Sequence, residues 1–274
     1  MRVLLEPVTI PVEGQNIAGS LLMHTPALPG VLFVHGWDGS QEQDLERARE
    51  AASLGCVCLT FDLRGHSLTR SQHDKVTRAD NLKDLVAAYD LFAAQPGVEN
   101  SAIAVVGASY GAYLAALLTT QRPVRWLALR APALYKDEDW DMPKRQLNSE
   151  QDLASYRHQT LSSKENMALG ACAQFRGDVL IAESEHDVII PHAVVANYIA
   201  ALPRARSITY RTLSGADHAL AHAPDQRAYT TLLMSWLSEM VLGARGDAVP
   251  PEVPSADKKT LAEKHAVSSD ALAE

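Results

Sequence analysis

The chain has 274 residues, with 25 Lys and Arg against 33 Asp and Glu for a formal charge of −8. That length can bury the core of one large α/β domain or of two small ones, and the composition is that of an ordinary soluble globular protein. No run of Lys or Arg is long enough to follow a phosphate backbone, and no segment approaches the roughly 18 apolar residues of a membrane span, so neither nucleic acid nor membrane is expected as a partner.

The opening "MRVLLEPVTIPVEG" is apolar only briefly, and Glu6 and Pro7 interrupt it, which argues against a signal peptide. "VTIPV" and "IAGSLLMH" read as two strands joined by a turn at 14–16. "GVLFVHG" (30–36) is the continuous apolar run of a strand covered on both faces. A polar helix follows, with Ser40 as candidate N-cap and Gly55 as its stop. "CVCLTFD" (56–62) is the next buried strand. Its Cys56 and Cys58 share one face as small apolar residues, and with only Cys172 left over no disulfide framework or Cys-rich metal site is expected. Such cysteine usage fits a reducing, cytoplasmic compartment.

After the loop "LRGHSLTRSQHDK" comes a helix from about Thr77 to Ala94, with Leu82, Leu85, Val86, Tyr89 and Phe92 at helical spacing. "AIAVVG" (102–107), "ASYGAYLAALLTTQ" and "VRWLALRAP" (124–132) read as strand, helix and strand. The rhythm then breaks: residues from about 133 to 176 are polar, charged and helix-prone, with no strand. "DVLIAES" (178–184), "PHAVVANYIAAL", "SITYRTL" and about Asp225 to Leu242 resume the alternation. The pattern predicts an α/β fold: a mostly parallel twisted sheet of about eight strands with helices on both faces. We expect one domain over 1–243 with a short cap inserted at about 133–176, then a flexible tail over 244–274, possessing at most a short helix near Lys258 to His265.

"GASYG" matches G-x-S-x-G between an apolar strand and an amphipathic helix. A sharp strand-to-helix turn strains the Ser backbone and crowds its neighbours, so only small residues flank it. The hydroxyl of Ser109 then stands clear of the sheet where a helix dipole favours negative charge. A serine nucleophile needs a base and the base an orienting carboxylate. Asp187 in "SEHDVIIP" and His218 in "SGADHAL" each follow a strand, and the order Ser109, Asp187, His218 is the one this architecture uses. Glu185 competes with Asp187, and His222 with His218; position favours Asp187 and His218.

Through "HGWDGS", "FDLRGHS", "GASYG", "SEHDVIIP" and "GADH", the chain resembles the α/β-hydrolase superfamily over about residues 15–242, in particular its compact esterases, dienelactone-hydrolase-like and peptidase-like serine hydrolases. The resemblance implies that Ser109 attacks an acyl carbonyl, that His218 moves the proton and that Asp187 holds the imidazole. It also implies an oxyanion hole from the backbone N–H groups of Tyr110 and Trp37, with His35 and Gly36 shaping the loop. Asp38-Gly39 stands where relatives often have Gly-Gly, and "RGHS" where "RGHG" is common. Asp62 and Arg64 are expected to pair structurally, and neither cofactor nor metal is expected.

A cap rich in charge argues against long lipid chains and for a modest pocket with Trp37, Tyr110, Tyr135 and Trp140 as candidate walls; the other reading of Trp140 is that it packs the cap onto the body. The expected activity is hydrolysis of small or aromatic acyl esters through an acyl-enzyme. A thioesterase or acyltransferase would use the same triad, a peptidase would normally need an added domain or anchor, and a non-catalytic binding protein could share the fold.

Overall fold

The computed structural model describes residues 4–23 and 28–247. Contacts divide the chain into a unit over 1–241 and a second over 242–274. The tail expected from 244 is helical as far as Asp247, because the closing helix runs on to that residue; the rest of it, and the short helix expected near Lys258, lie outside the described residues.

Eight strands form one sheet: β1 (Leu4–Val12), β2 (Gln15–Met23), β3 (Leu28–Val34), β4 (Val57–Phe61), β5 (Val98–Ala108), β6 (Trp126–Arg130), β7 (Asp178–Ser184) and β8 (Ser207–Leu213). Their order is β1-β2-β4-β3-β5-β6-β7-β8, antiparallel at β1–β2 and β2–β4 and parallel from β4 to β8. The β1–β2 turn has two residues, Glu13 and Gly14, both at positive φ (45° and 75°), which is the twist a two-residue hairpin loop requires.

The helices are α1 (Glu42–Ser53), α2 (Arg78–Ala93), α3 (Tyr110–Leu118), α4 (Leu147–Glu150), α5 (Leu153–Tyr156), α6 (Met167–Gln174), α7 (His192–Ala200) and α8 (Ala223–Asp247). Alternate strand residues face opposite sides. Leu32, Val34, Leu59, Phe61, Val105, Leu127 and Ile181 share one core with α2, α3, α6 and α7. The residues between them, such as Val31, Phe33, Cys58 and Ala128, are equally buried on the other side, as are Ala48 and Ala52 of α1 and Leu233 and Trp236 of α8. That is why these strands read as unbroken apolar runs. No helix among the described residues is long and apolar enough to cross a membrane.

Several local readings change. Thr77 caps α2 in a capping box with Asp80, but Ser40 does not cap α1. Gln41 occupies that position, and its backbone N–H donates to Asp62 Oδ1 at 2.9 Å. Asp62 is thus committed to the start of α1 and does not pair with Arg64. The Arg64 guanidinium turns instead to the buried carboxylate of Asp84 and to Glu13. Between β6 and β7, residues 131–177 carry α4, α5 and α6, and Leu147, Leu153, Leu169 and Cys172 of this segment join the main core.

Candidate active site

The turn from β5 into α3 is the most crowded backbone in the site. Ser109 has φ 51° and ψ −112°, a conformation that costs a non-glycine residue on the order of 1–3 kcal/mol. A Cβ on Gly107 would lie 2.5 Å from Ala112 Cα, and one on Gly111 would lie 2.2 Å from the Val34 carbonyl oxygen. Glycine at both positions lets β5, β3 and α3 meet there. The strain is held by backbone bonds: Ser109 N–H donates to Arg130 O at 2.8 Å, and Ser109 O accepts from Ala112, Tyr113 and Ala133.

The structure brings together the three side chains singled out in sequence. His218 Nδ1 lies 2.7 Å from Asp187 Oδ2, and His218 Nε2 lies 3.0 Å from Ser109 Oγ. An ionised carboxylate accepts only, so Nδ1 carries the proton and Nε2 accepts from the Ser109 hydroxyl. Burial pushes the Asp187 pKa up, but the hydrogen bond from His218 and the N–H groups of Ile190 and Ile189 outweigh it and hold the pKa below the ordinary value. Glu185 is not part of this chain. β7 ends at Ser184, so the alternation of a strand no longer applies, and Glu185 accepts instead from Ser214 Oγ and Gly215 N–H. His222 is exposed and precedes α8.

The Trp37 and Tyr110 N–H groups flank the site from the β3 loop and the first residue of α3, and neither donates to another protein group among the described residues. Two neutral histidines brace the Trp37 loop. His35 Nδ1–H donates to Gly36 O at 2.7 Å and its Nε2 accepts from Leu63 N–H at 3.0 Å. His66 Nε2 accepts from Asp38 N–H at 3.1 Å, so its proton sits on Nδ1 facing the Leu63 and Arg64 carbonyls. Burial, with the neighbouring His35, pulls the His66 pKa down to about 4. Asp38 and Ser67, the two departures noted in sequence, both have positive φ (63° and 44°).

Asp38, His66 and His73 offer ligand atoms within 4.8 Å of one another. Those atoms are already engaged, His66 Nε2 by Asp38 N–H and Asp38 Oδ1 by His73 and Arg70.

A cavity of about 340 Å³ opens on Ser109 and His218 and is lined further by Trp37, Arg47, Arg130 and Tyr229. Tyr135 and Trp140 are not among its lining residues. Tyr135 is buried against Tyr110 and Tyr113, with the Lys144 ammonium 4.8 Å from its ring centre. Trp140 lies on Arg78, whose guanidinium is 5.0 Å from its ring and donates to the Lys136 and Glu138 carbonyls. Trp140 therefore fastens the inserted segment to α2. Arg47, Arg130 and Tyr229 were not singled out in sequence. The available signal was an arginine ending the apolar strand "WLALR", a charge at the carboxyl edge where ligands bind in open sheets.

An eight-stranded, mostly parallel sheet with the serine turn between its fifth strand and the following helix defines the α/β-hydrolase fold. Residues 44–243 match the sequence profile of the Prolyl oligopeptidase family, and the chain belongs to that family, within the serine-hydrolase superfamily. An uncharacterized protein of Mycobacterium tuberculosis (strain ATCC 25618 / H37Rv) is 32% identical over 122 residues, which are 44% of this chain and 42% of that protein. The match thus spans less than half of the curated relative's length. Among solved structures, a putative dienelactone hydrolase from Klebsiella pneumoniae subsp. pneumoniae MGH 78578 superposes with TM-score 0.65 at 17% identity, covering 87% of this chain and 100% of that one. Est1E from Butyrivibrio proteoclasticus with ferulic acid bound gives 0.65 at 17%, covering 86% and 98%. The esterase domain of a Rhodothermus marinus protein gives 0.61 at 18%, covering 87% and 99%.

Proposed function

We propose that this hydrolase is a cytoplasmic serine esterase acting on small or aromatic carboxylic esters. The observation that carries the reading is the hydrogen-bonded chain from Asp187 through His218 to Ser109. In this scheme Ser109 Oγ bonds to the ester carbonyl carbon while its proton passes to His218 Nε2. The carbonyl oxygen becomes an oxyanion facing the Trp37 and Tyr110 N–H groups, each contributing about 3 kcal/mol to lowering the barrier. The carbon–alcohol bond then breaks, and the imidazolium returns its proton to the departing alkoxide. Water repeats the cycle on the acyl-enzyme and releases the acid.

The modest cavity supports short or aromatic groups over long acyl chains, and the ferulic acid bound to Est1E is an aromatic acid on the same fold. Cys56, Cys58 and Cys172 are thiols buried in the core as small apolar residues, which suits a reducing compartment. Family membership makes peptide-bond cleavage the second reading, and a thioesterase would share the triad. A fluorophosphonate probe is expected to label Ser109, with no labelling of Ser109→Ala. A folded wild type that stays unlabelled would turn the reading to a binding protein on this fold. A panel of p-nitrophenyl esters, aromatic esters, acyl-CoA and prolyl p-nitroanilides then separates the activities.

A further inference from the structure

We propose that the cavity beside Ser109 is a carboxylate-recognition pocket built by Arg47 and Arg130, so that the preferred esters carry one carboxylate on the part that enters it. The inference rests on the esterase reading and narrows its substrate class.

Arg130 ends β6 directly opposite Ala108, one strand away from the serine turn. Its Nη1 donates to the His218 carbonyl oxygen at 2.8 Å, and no carboxylate among the described residues lies within ion-pair distance of it. Arg47 enters from α1. Its Nη1 reaches Gln43 O and Asp44 Oδ1 (2.9 Å), and its Nε is buried with no acceptor. The two guanidiniums stand 5.1 and 5.8 Å from the ring centre of the buried Tyr229. One aromatic side chain thus holds both cations toward the same space.

The charges facing that space are few. Asp44 balances Arg47, which leaves Arg130 as one net positive charge. Asp38, at the rim, is tied to Arg70 and His73, and Asp187 is taken up by His218. Burial lowers the Arg130 pKa from the guanidinium value and the nearby Arg47 adds to this, against the opposing effects of Tyr229, Asp44 and Asp187. A guanidinium partly withdrawn from water without an anion beside it is unfavourable, and a substrate monoanion supplies that partner with a planar, two-oxygen acceptor that suits the fork of an arginine. A phosphate dianion would add a second negative charge beside Asp44. At about 340 Å³ the pocket is at the small end of ligand sites, which places the carboxylate a few bonds from the scissile carbonyl.

The test uses two matched pairs: p-nitrophenyl butyrate against mono-p-nitrophenyl glutarate, and phenyl butyrate against 4-carboxyphenyl butyrate. In one pair the wild type is expected to favour the anionic member in kcat/KM by about 10- to 100-fold, the range of a charge-assisted hydrogen bond. The pair concerned says whether the carboxylate lies on the acyl or the leaving group. Arg47→Gln and Arg130→Gln are expected to bring that ratio to within about threefold of unity. The ratio is read inside each variant, so a general loss of activity does not enter it. An Arg130 that merely supports the His218 loop would slow both esters alike and leave the ratio where it was, which overturns the assignment. Neutral esters turned over as well as both anionic ones also overturn it, while the esterase reading stands. If no ester is turned over and no probe labels Ser109, the esterase reading falls, and calorimetric titration with glutarate decides the pocket. Binding lost in Arg47→Gln supports the pocket; no binding, or tighter binding of inorganic phosphate, overturns it.

Discussion

Gly111 has no room for a side chain because of Val34: the Val34 carbonyl oxygen lies 2.2 Å from where a Cβ would stand. The obstacle is backbone, which cannot swing aside as a flexible side chain can. Gly111→Ala must therefore part α3 from β3 or distort the serine turn. We expect a loss of about 2 kcal/mol or more in chemical denaturation, in the range of overpacked cores, with weaker probe labelling of Ser109. Gly243, with nothing within 4 Å, is the control, and Gly243→Ala should leave stability unchanged or slightly raised.

Asp187 and Glu185 are two residues apart with different partners, so their amides should behave differently. Asp187→Asn removes the acceptor that holds the proton on His218 Nδ1 and is expected to lower kcat about 10³- to 10⁴-fold. Glu185→Gln touches only the turn at Ser214 and Gly215 and should stay within about threefold of wild type. Comparable losses in the two variants would remove Asp187 from its proposed role.

His66 should make the fold sensitive to mild acid. Its pKa in the folded chain is about 4, against 6.5 for the ordinary side chain. Between these values the unfolded state binds a proton that the folded state refuses, so stability rises with pH across the window and is lost as pH falls from 6.5 toward 4. The shift corresponds to something on the order of 3 kcal/mol at most. Burial lowers His35 as well and acts in the same sense. The depressed pKa of Asp187 adds a further loss below the ordinary carboxylate range. Urea midpoints at pH 7 and 4.5 should differ clearly in the wild type and differ less in His66→Asn.

Ser67 occupies left-handed backbone at φ 44°, where an L side chain costs about 1–2 kcal/mol that glycine avoids. Glycine's freer unfolded chain offsets part of that gain. Ser67→Gly is expected to raise stability by up to about 1 kcal/mol, and Ser67→Val to lower it. Thermal melts of the two variants decide the sign.

All eight strands were legible because apolar runs bounded by turn residues are a local signal, and the Ser109 turn because its glycines answer a local steric demand. Strand ends were less legible. Pro7 hid the start of β1, and exposed polar residues 99–101 hid the start of β5. The inserted segment read as polar because Leu147, Leu153 and Leu169, spaced through charged sequence, show their common burial only once α4, α5 and α6 are packed. The partner of Arg64 was misread because Asp84 lies 20 residues on and reaches it through tertiary packing alone. The convergence of Arg47, Arg130 and Tyr229 was invisible for the same reason: a helix near the start, a strand in the middle and a helix near the end meet only in space.

The hairpin that opens the sheet has a bearing on how the molecule meets its own copies. With Val12 paired to Gln15 across a two-residue turn, β1 turns the backbone groups of its even-numbered residues toward β2 and those of 5, 7, 9 and 11 outward. Two of those four outward positions are Pro7 and Pro11, which have no N–H to offer. This rim of the sheet is thus a poor template for an incoming strand, and the chain gains protection from ribbon-like self-aggregation where a flat sheet would otherwise invite it.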